Sequence, residues 1–224
     1  MKPQLHILAA ALLAAAPLQA ATIYNQPTDL SGSVASQNDP GGAGEIAKAY
    51  DNFTLSTASS VTSLGWTGSY FAGSAGGISG FLVEIWADNA GAPGASLLSA
   101  TISGNAGETS LDNDSNGDPA YAYSATLATP FAAAAGTAYW LSIQPTLAGS
   151  SQWGWENGSG GDGAAYQVFG GSPAAITNDL AFSLDGTASG GGGSVPEPGS
   201  LALLAAGLAG WRGARRRAGV GVAA

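Results

Sequence analysis

The chain has no cysteine, and its only histidine, His6, and only methionine lie at the extreme N-terminus. Basic residues are almost as scarce. Between positions 21 and 197 all 15 Asp and Glu stand against one base, Lys48, which leaves a formal charge of −14 on that stretch. Each absence removes a class of function. Without Cys, and without His beyond position 6, there is no Ser-His-Asp or Cys-His catalytic arrangement, no His- or Cys-ligated metal and no disulfide framework. Without a basic surface, phosphate backbones and anionic headgroups are repelled, so nucleic acid is not expected as a partner of the body. Calcium ions and neutral glycans are compatible with such a surface. Glycine-rich stretches lack a P-loop lysine in register, and no nucleotide site is expected.

Helix-length apolar periodicity is also missing beyond the first twenty residues, apart from one short run near the C-terminus. At the N-terminus Lys2, an apolar run over 5–16, Pro17 and small residues at Ala20 and Ala21 read as a secretory signal peptide over 1–20, cut after Ala20 or Ala21. The protein is therefore expected to be exported.

What fills residues 22–186 is short alternating runs separated by turn chemistry. Strands are expected at 50–56 (YDNFTLS), 61–71, 78–87, 96–102, 120–127, 137–144, 151–156, 165–169 and 179–184. The separators DNAGAPG, DNDSNGDP and ENGSGGDG are loops. This pattern predicts an all-β ectodomain, an antiparallel β-sandwich of jelly-roll-like character. Tyr139, Leu141 and Ile143, and likewise Leu180, Phe182 and Leu184, share a face by period two and are expected in the core. Residues 187–195 (TASGGGGSV) read as a flexible linker.

Three constellations in the body could carry chemistry. In the loop Asp112, Asp114, Asn116 and Asp118, side-chain oxygens alternate around Gly117, as in the first half of an EF-hand. The twelfth position is Tyr123 where that motif needs a bidentate Glu, so calcium would need help from another loop; otherwise the stretch is an Asx-rich turn. Trp153 and Trp155, two apart, share a face and form either a sugar-stacking platform or part of the core. Glu84 and Glu156, each near aromatics, are the candidate pair for a glycoside hydrolase, the weakest of the readings.

Past the linker come Pro196, Glu197 and Pro198, an apolar run from Ser200 to Trp211, and Arg212, Arg215, Arg216 and Arg217, followed by AGVGVAA over 218–224. Thirteen to seventeen small or apolar residues give a helix about 20–25 Å long, short of the roughly 30 Å hydrocarbon layer. Arginines on the far side place the C-terminus in the cytoplasm. This order of features over 196–217 resembles the PEP-CTERM sorting signal. The resemblance implies processing by an exosortase, with Pro196, Glu197 and Pro198 as recognition motif, a short transmembrane helix, and the arginines as cytoplasmic stop. The motifs YDNFTLS, WADNAGAPG, YWLSI and WGWENGSGGDG are similar to a β-rich ectodomain found ahead of such tails, one without established activity. The expectation is a non-enzymatic surface or matrix protein, with glycan binding in the extracellular polysaccharide as the alternative.

Overall fold

A computed structural model describes residues 20–40, 46–71 and 75–189. Their strands are β1 (Ala21–Gln26), β2 (Thr28–Ala35), β3 (Gln37–Asn38), β4 (Ile46–Thr54), β5 (Ser59–Tyr70), β6 (Ile78–Asp88), β7 (Pro93–Ser103), β8 (Thr109–Asn113), β9 (Pro119–Ala133), β10 (Ala138–Leu147), β11 (Trp153–Gly158), β12 (Ala165–Phe169), β13 (Ser172–Ile176), β14 (Asp179–Leu180) and β15 (Phe182–Ala188). All nine expected strands form, the last of them split in two at Ala181.

The five strands not anticipated each lack a readable apolar alternation, for different physical reasons. Strands β8 and β13 present almost no buried side chain and are held through backbone pairing, so they carry no apolar alternation. Strands β1 and β2 run on either side of Pro27, and Gly32 interrupts the second. Strand β3 is two residues long.

The strands build two sheets packed as a sandwich. In the first, β1, β15, β5, β11 and β14 are neighbours in that order, with β2 added on β11 and β9, carrying β8, added on β5. Strand β5 is its spine, with β9 along one side and β15 then β11 along the other. The second sheet runs β13-β12-β4-β3-β10-β6-β7, with β4 also paired to β10. Among the described residues, ladders are antiparallel except for the bridge Thr146↔Asn38 between β10 and β3. The chain crosses between sheets at β2–β3, β4–β5, β5–β6, β7–β8, β9–β10, β10–β11, β11–β12 and β13–β14, with hairpins such as β6–β7 interposed. The first and last strands are partners, Ala21 opposite Gly186. Thr187 and Ala188 continue β15 opposite Ser60 and Ser59.

The inward faces interlock without any cross-link. Tyr139, Leu141 and Ile143 from the second sheet meet Leu180, Phe182 and Leu184 from the first in one core, as the period-two reading requires. Ring pairs bridge the sheets: Trp66 packs edge-on against Phe81 at 5.0 Å, and Phe53 against Phe182 at 6.2 Å. Burying each such side chain contributes about 1.5–3 kcal/mol, which lets a cysteine-free exported domain stand on its core alone.

Among the described residues no helix is long and apolar enough to cross a membrane. Residues 1–19 of the expected signal peptide over 1–20, and the whole of 190–224 with Pro196, Glu197, Pro198 and the arginines, lie outside the described residues.

Candidate functional site

Strand β11 organises the most unusual chemistry of the domain. Its alternate residues Trp153 and Trp155 point inward and are fully buried. Their indole N–H groups donate to Tyr123 Oη (3.2 Å) and to the Ala181 carbonyl (2.8 Å). A sugar platform needs an open ring face, and these rings have none; they belong to the core, which corrects the glycan-site expectation for this pair. Gly154 and Glu156 point the other way, onto the outer face of the first sheet.

Glu156 is nonetheless completely buried. The turn joining β8 to β9 lies over this region: the Ser115 N–H donates to the Leu30 carbonyl (2.8 Å) and the Ser115 hydroxyl to the Ser31 carbonyl (2.7 Å). Leu30 takes a left-handed φ of 52° at that contact, an uncommon state for a non-glycine residue. Burial, with Asp114, Asp29 and Asp118 adding like charge, pushes the Glu156 carboxyl up to about 7.

The turn itself is closed by its own backbone. Asp114 Oδ1 accepts from the N–H groups of Asn116 and Asp118, both at 2.9 Å, and the Asp114 N–H donates to the Asp118 carbonyl. Asp114 is buried while Asp112 and Asn116 are exposed. Among the described residues no group of three or more His, Cys, Asp or Glu side chains is gathered to hold a metal. The alternation Asp112, Asp114, Asn116, Asp118 thus folds as an Asx-type turn and does not converge its carboxylates on one point.

A second acidic node sits close by, because β11 pairs with β14 through Asn157↔Leu180 and Gly158↔Asp179. Asp51, on the inner face of β4, reaches across the sandwich and is fully buried. Its Oδ2 accepts from Gln26 Nε2 (2.7 Å) and from the Leu180 N–H (2.5 Å), and its Oδ1 from the Asn52 N–H (2.7 Å). Gln26 also donates to the Leu180 carbonyl and accepts from the Tyr24 hydroxyl. Burial pushes the Asp51 carboxyl up to about 7 against those hydrogen bonds. Asp179 accepts from the N–H groups of Gly161 (3.0 Å) and Gly163 (2.7 Å), which pins the loop before β12. A polar cleft of about 260 Å³, lined by residues including Asp29, Ser31, Asn157, Asn178 and Asp179, opens there.

Glu84 lies elsewhere. Val83 and Ile85 enter the core, so Glu84 faces outward from the second sheet, where Lys48 Nζ sits 2.6 Å from its Oε2. The whole sandwich separates it from Glu156. The two carboxylates proposed as a hydrolytic pair therefore do not face a common substrate position, and that pairing is withdrawn.

Around Glu84 the outer face of the second sheet carries a feature the sequence reading missed. Tyr50 packs edge-on to Trp86 (5.7 Å) and to Tyr166 (6.5 Å), and Trp140 to Tyr166 (6.4 Å). Lys48 Nζ stands 5.5 Å from the Trp86 ring. Trp86 and Tyr166 are half-buried, while Trp140 and Tyr50 are buried. Burial and the nearby Glu84 charge push the Tyr50 hydroxyl up to about 12. The signal was available: in FLVEIWA, Glu84 and Trp86 alternate with Val83 and Ile85, so they share the face away from the core.

Comparison with known proteins gives no match among the curated proteins and none among the solved structures. Residues 194–217 match the PEP-CTERM protein-sorting motif, which marks an exported protein, anchored transiently in the membrane and sorted to the surface with processing by an exosortase. Residues 24–168, more than half of the chain and the sandwich from β1 to β12, match the family described as Domain of unknown function (DUF7901), and the chain belongs to that family.

Proposed function

We propose that this protein is a non-catalytic ectodomain that is released from its membrane tether by an exosortase and delivered to the cell surface or the extracellular polysaccharide matrix. The observation that carries the reading is the order of parts: a complete β-sandwich followed directly by the sorting motif at 194–217. The tether is N-out and C-in, with Arg212, Arg215, Arg216 and Arg217 halting export. The separation of Glu84 from Glu156 supports a role without glycosidic chemistry.

The test replaces Pro196, Glu197 and Pro198 with alanine. In an exosortase-bearing host the parent protein is expected to lose everything from about Ser200 onward, and the triple-alanine protein to stay full length and membrane-associated. Recovery of the variant in trimmed, released form would show that the motif is only the end of a linker.

A second reading, binding of neutral polysaccharide, is favoured by one observation. The aromatic cluster of Tyr50, Trp86, Trp140 and Tyr166 lies on an outer sheet face beside the polar groups of Lys48, Glu84 and Asp88. Aromatic faces of this kind offer apolar area to a sugar ring while neighbouring polar groups orient its hydroxyls. Glycan-array binding that is lost in Trp86→Ala and Tyr166→Ala but kept in Trp155→Phe would support it; binding unchanged in the first two would remove it.

A further inference from the structure

Buried carboxylate oxygens are costly unless something positive or hydrogen-donating meets them. Among the described residues, four buried side-chain nitrogen or oxygen atoms have no hydrogen-bond partner, and three of them belong to two neighbouring acids: Asp114 Oδ2, Glu156 Oε1 and Glu156 Oε2. The fourth is Trp66 Nε1.

Among the described residues no cation compensates the charge. Lys48 is the single base among the described residues, and it is held by Glu84 on the opposite face. The Ser69 hydroxyl, 2.8 Å from Ser33 Oγ, also interacts with Glu156 and offsets only part of the effect of its burial. The next charges, Asp29 and Asp118, are of the same sign.

The surroundings hold this arrangement in place. Glu156 is opposite Ser33 in the β11–β2 ladder, and Asn157 Nδ2 donates to Ser31 Oγ at 3.1 Å. The turn carrying Asp114 is fastened to the carbonyls of Leu30 and Ser31. At Gly32, with φ of 133°, an added Cβ would stand 2.9 Å from Asn116 Nδ2, so the turn sits close against β2. Asp114 Oδ2 is left without a hydrogen bond because Oδ1 closes the turn. Glu156, from a different strand, is the contribution from outside the loop that the unfinished EF-hand pattern lacks.

We propose that Asp114 and Glu156 bind one calcium-class divalent cation between the β8–β9 turn and the outer face of β11. Calcium suits the position better than magnesium, because it accepts irregular sets of six to eight oxygens that mix carboxylates with carbonyls, hydroxyls and water. Two carboxylates supply three of those oxygens, and the cation neutralises the pair.

The experiment uses the exported protein stripped with EDTA, at pH 8, with calorimetric titration and thermal melting. One calcium per chain is expected, with 1 mM calcium raising the Tm by about 5 °C or more. Glu156→Gln and Asp114→Asn should each weaken binding at least about 100-fold and abolish the Tm response. Asp112→Asn, altering an exposed residue of the same loop, should change neither. In the metal-free state Glu156→Gln should melt no lower than the parent, since it removes a buried charge at constant shape. Absence of binding to the parent protein, or binding retained in both Glu156→Gln and Asp114→Asn, overturns the proposal. If a variant fails to fold, terbium luminescence of the parent excited through tryptophan decides: calcium-displaceable emission supports the site, and its absence overturns it.

Discussion

Gly68 lies directly against the indole of Trp153: a Cβ at position 68 would stand 1.9 Å from Trp153 Cζ2 and 2.8 Å from the Gly154 carbonyl oxygen. These residues face each other near the β5–β11 ladder, where Trp153 pairs with Tyr70 and Trp155 with Gly68. The glycine is there because the indole occupies the space its side chain would need.

Gly68→Ala should therefore act as an overpacking change in the core. The expected loss is about 3 kcal/mol, or about 10 °C in Tm for a domain of this size. Thermal melting checks it; a Tm within a degree or two of the parent would mean that the indole can move aside at no cost.

Asp51 gives the fold a pH dependence of unusual sign. Its folded-state pKa is raised to about 7 by burial, above the ordinary aspartate value, so between roughly pH 4 and 7 the folded state binds more protons than the unfolded one. The destabilising term is absent below pH 4, grows with pH, and is complete above about 7. Glu156, also raised to about 7, acts in the same direction. The metal-free domain should melt higher at pH 5 than at pH 8, and Asp51→Asn should flatten that slope. A Tm that rises steadily from pH 5 to 8 in EDTA would contradict this assignment.

Lys48 and Glu84 form a largely shielded pair, with side chains 19% and 10% exposed. Lys48→Met leaves the carboxylate without its partner and should cost about 2 kcal/mol. Adding Glu84→Met should recover most of that loss. Chemical denaturation of the four proteins in the cycle measures the coupling; simple additivity would show that the pair contributes nothing.

The mature N-terminus should be Ala21 or Thr22, with β1 starting at the leader's end. N-terminal sequencing of exported material checks this, and Met1 or Lys2 at that position would refute the leader assignment.

Much of the sandwich was legible because period-two patterning is a direct imprint of a half-buried sheet. Tyr139, Leu141 and Ile143 join the core while Trp140 and Ser142 between them face the other way, although β10 is covered on both faces. Strand β8 was not legible, since a strand whose residues are all exposed leaves no imprint. The tryptophans illustrate the limit of spacing arguments. Trp153 and Trp155 share a face in either reading, and only the position of β11 between β5 and β2 decides that this face is the core. Likewise, Asp51 reads as an ordinary polar position in YDNFTLS, and its role in joining β4 to β1 and β14 depends on partners 25 and 129 residues away in sequence. The meeting of Asp114 with Glu156 is of the same kind, a product of sheet order that no local pattern encodes.

The pairing of β1 with β15 bears on how the protein leaves the cell. A chain threaded outward N-terminus first delivers β1 earliest, yet that strand's ladder partner, residues 182–188, arrives at the very end of the domain. Closure of the first sheet thus waits for essentially complete translocation, and the long sequence separation makes it a slow, late step. During that interval the edges of β15's partners are open to pairing with other chains. The sorting motif that follows the last strand anchors each chain transiently in the membrane, so the same anchoring gives this final seam an interval to zip before release into a crowded exterior.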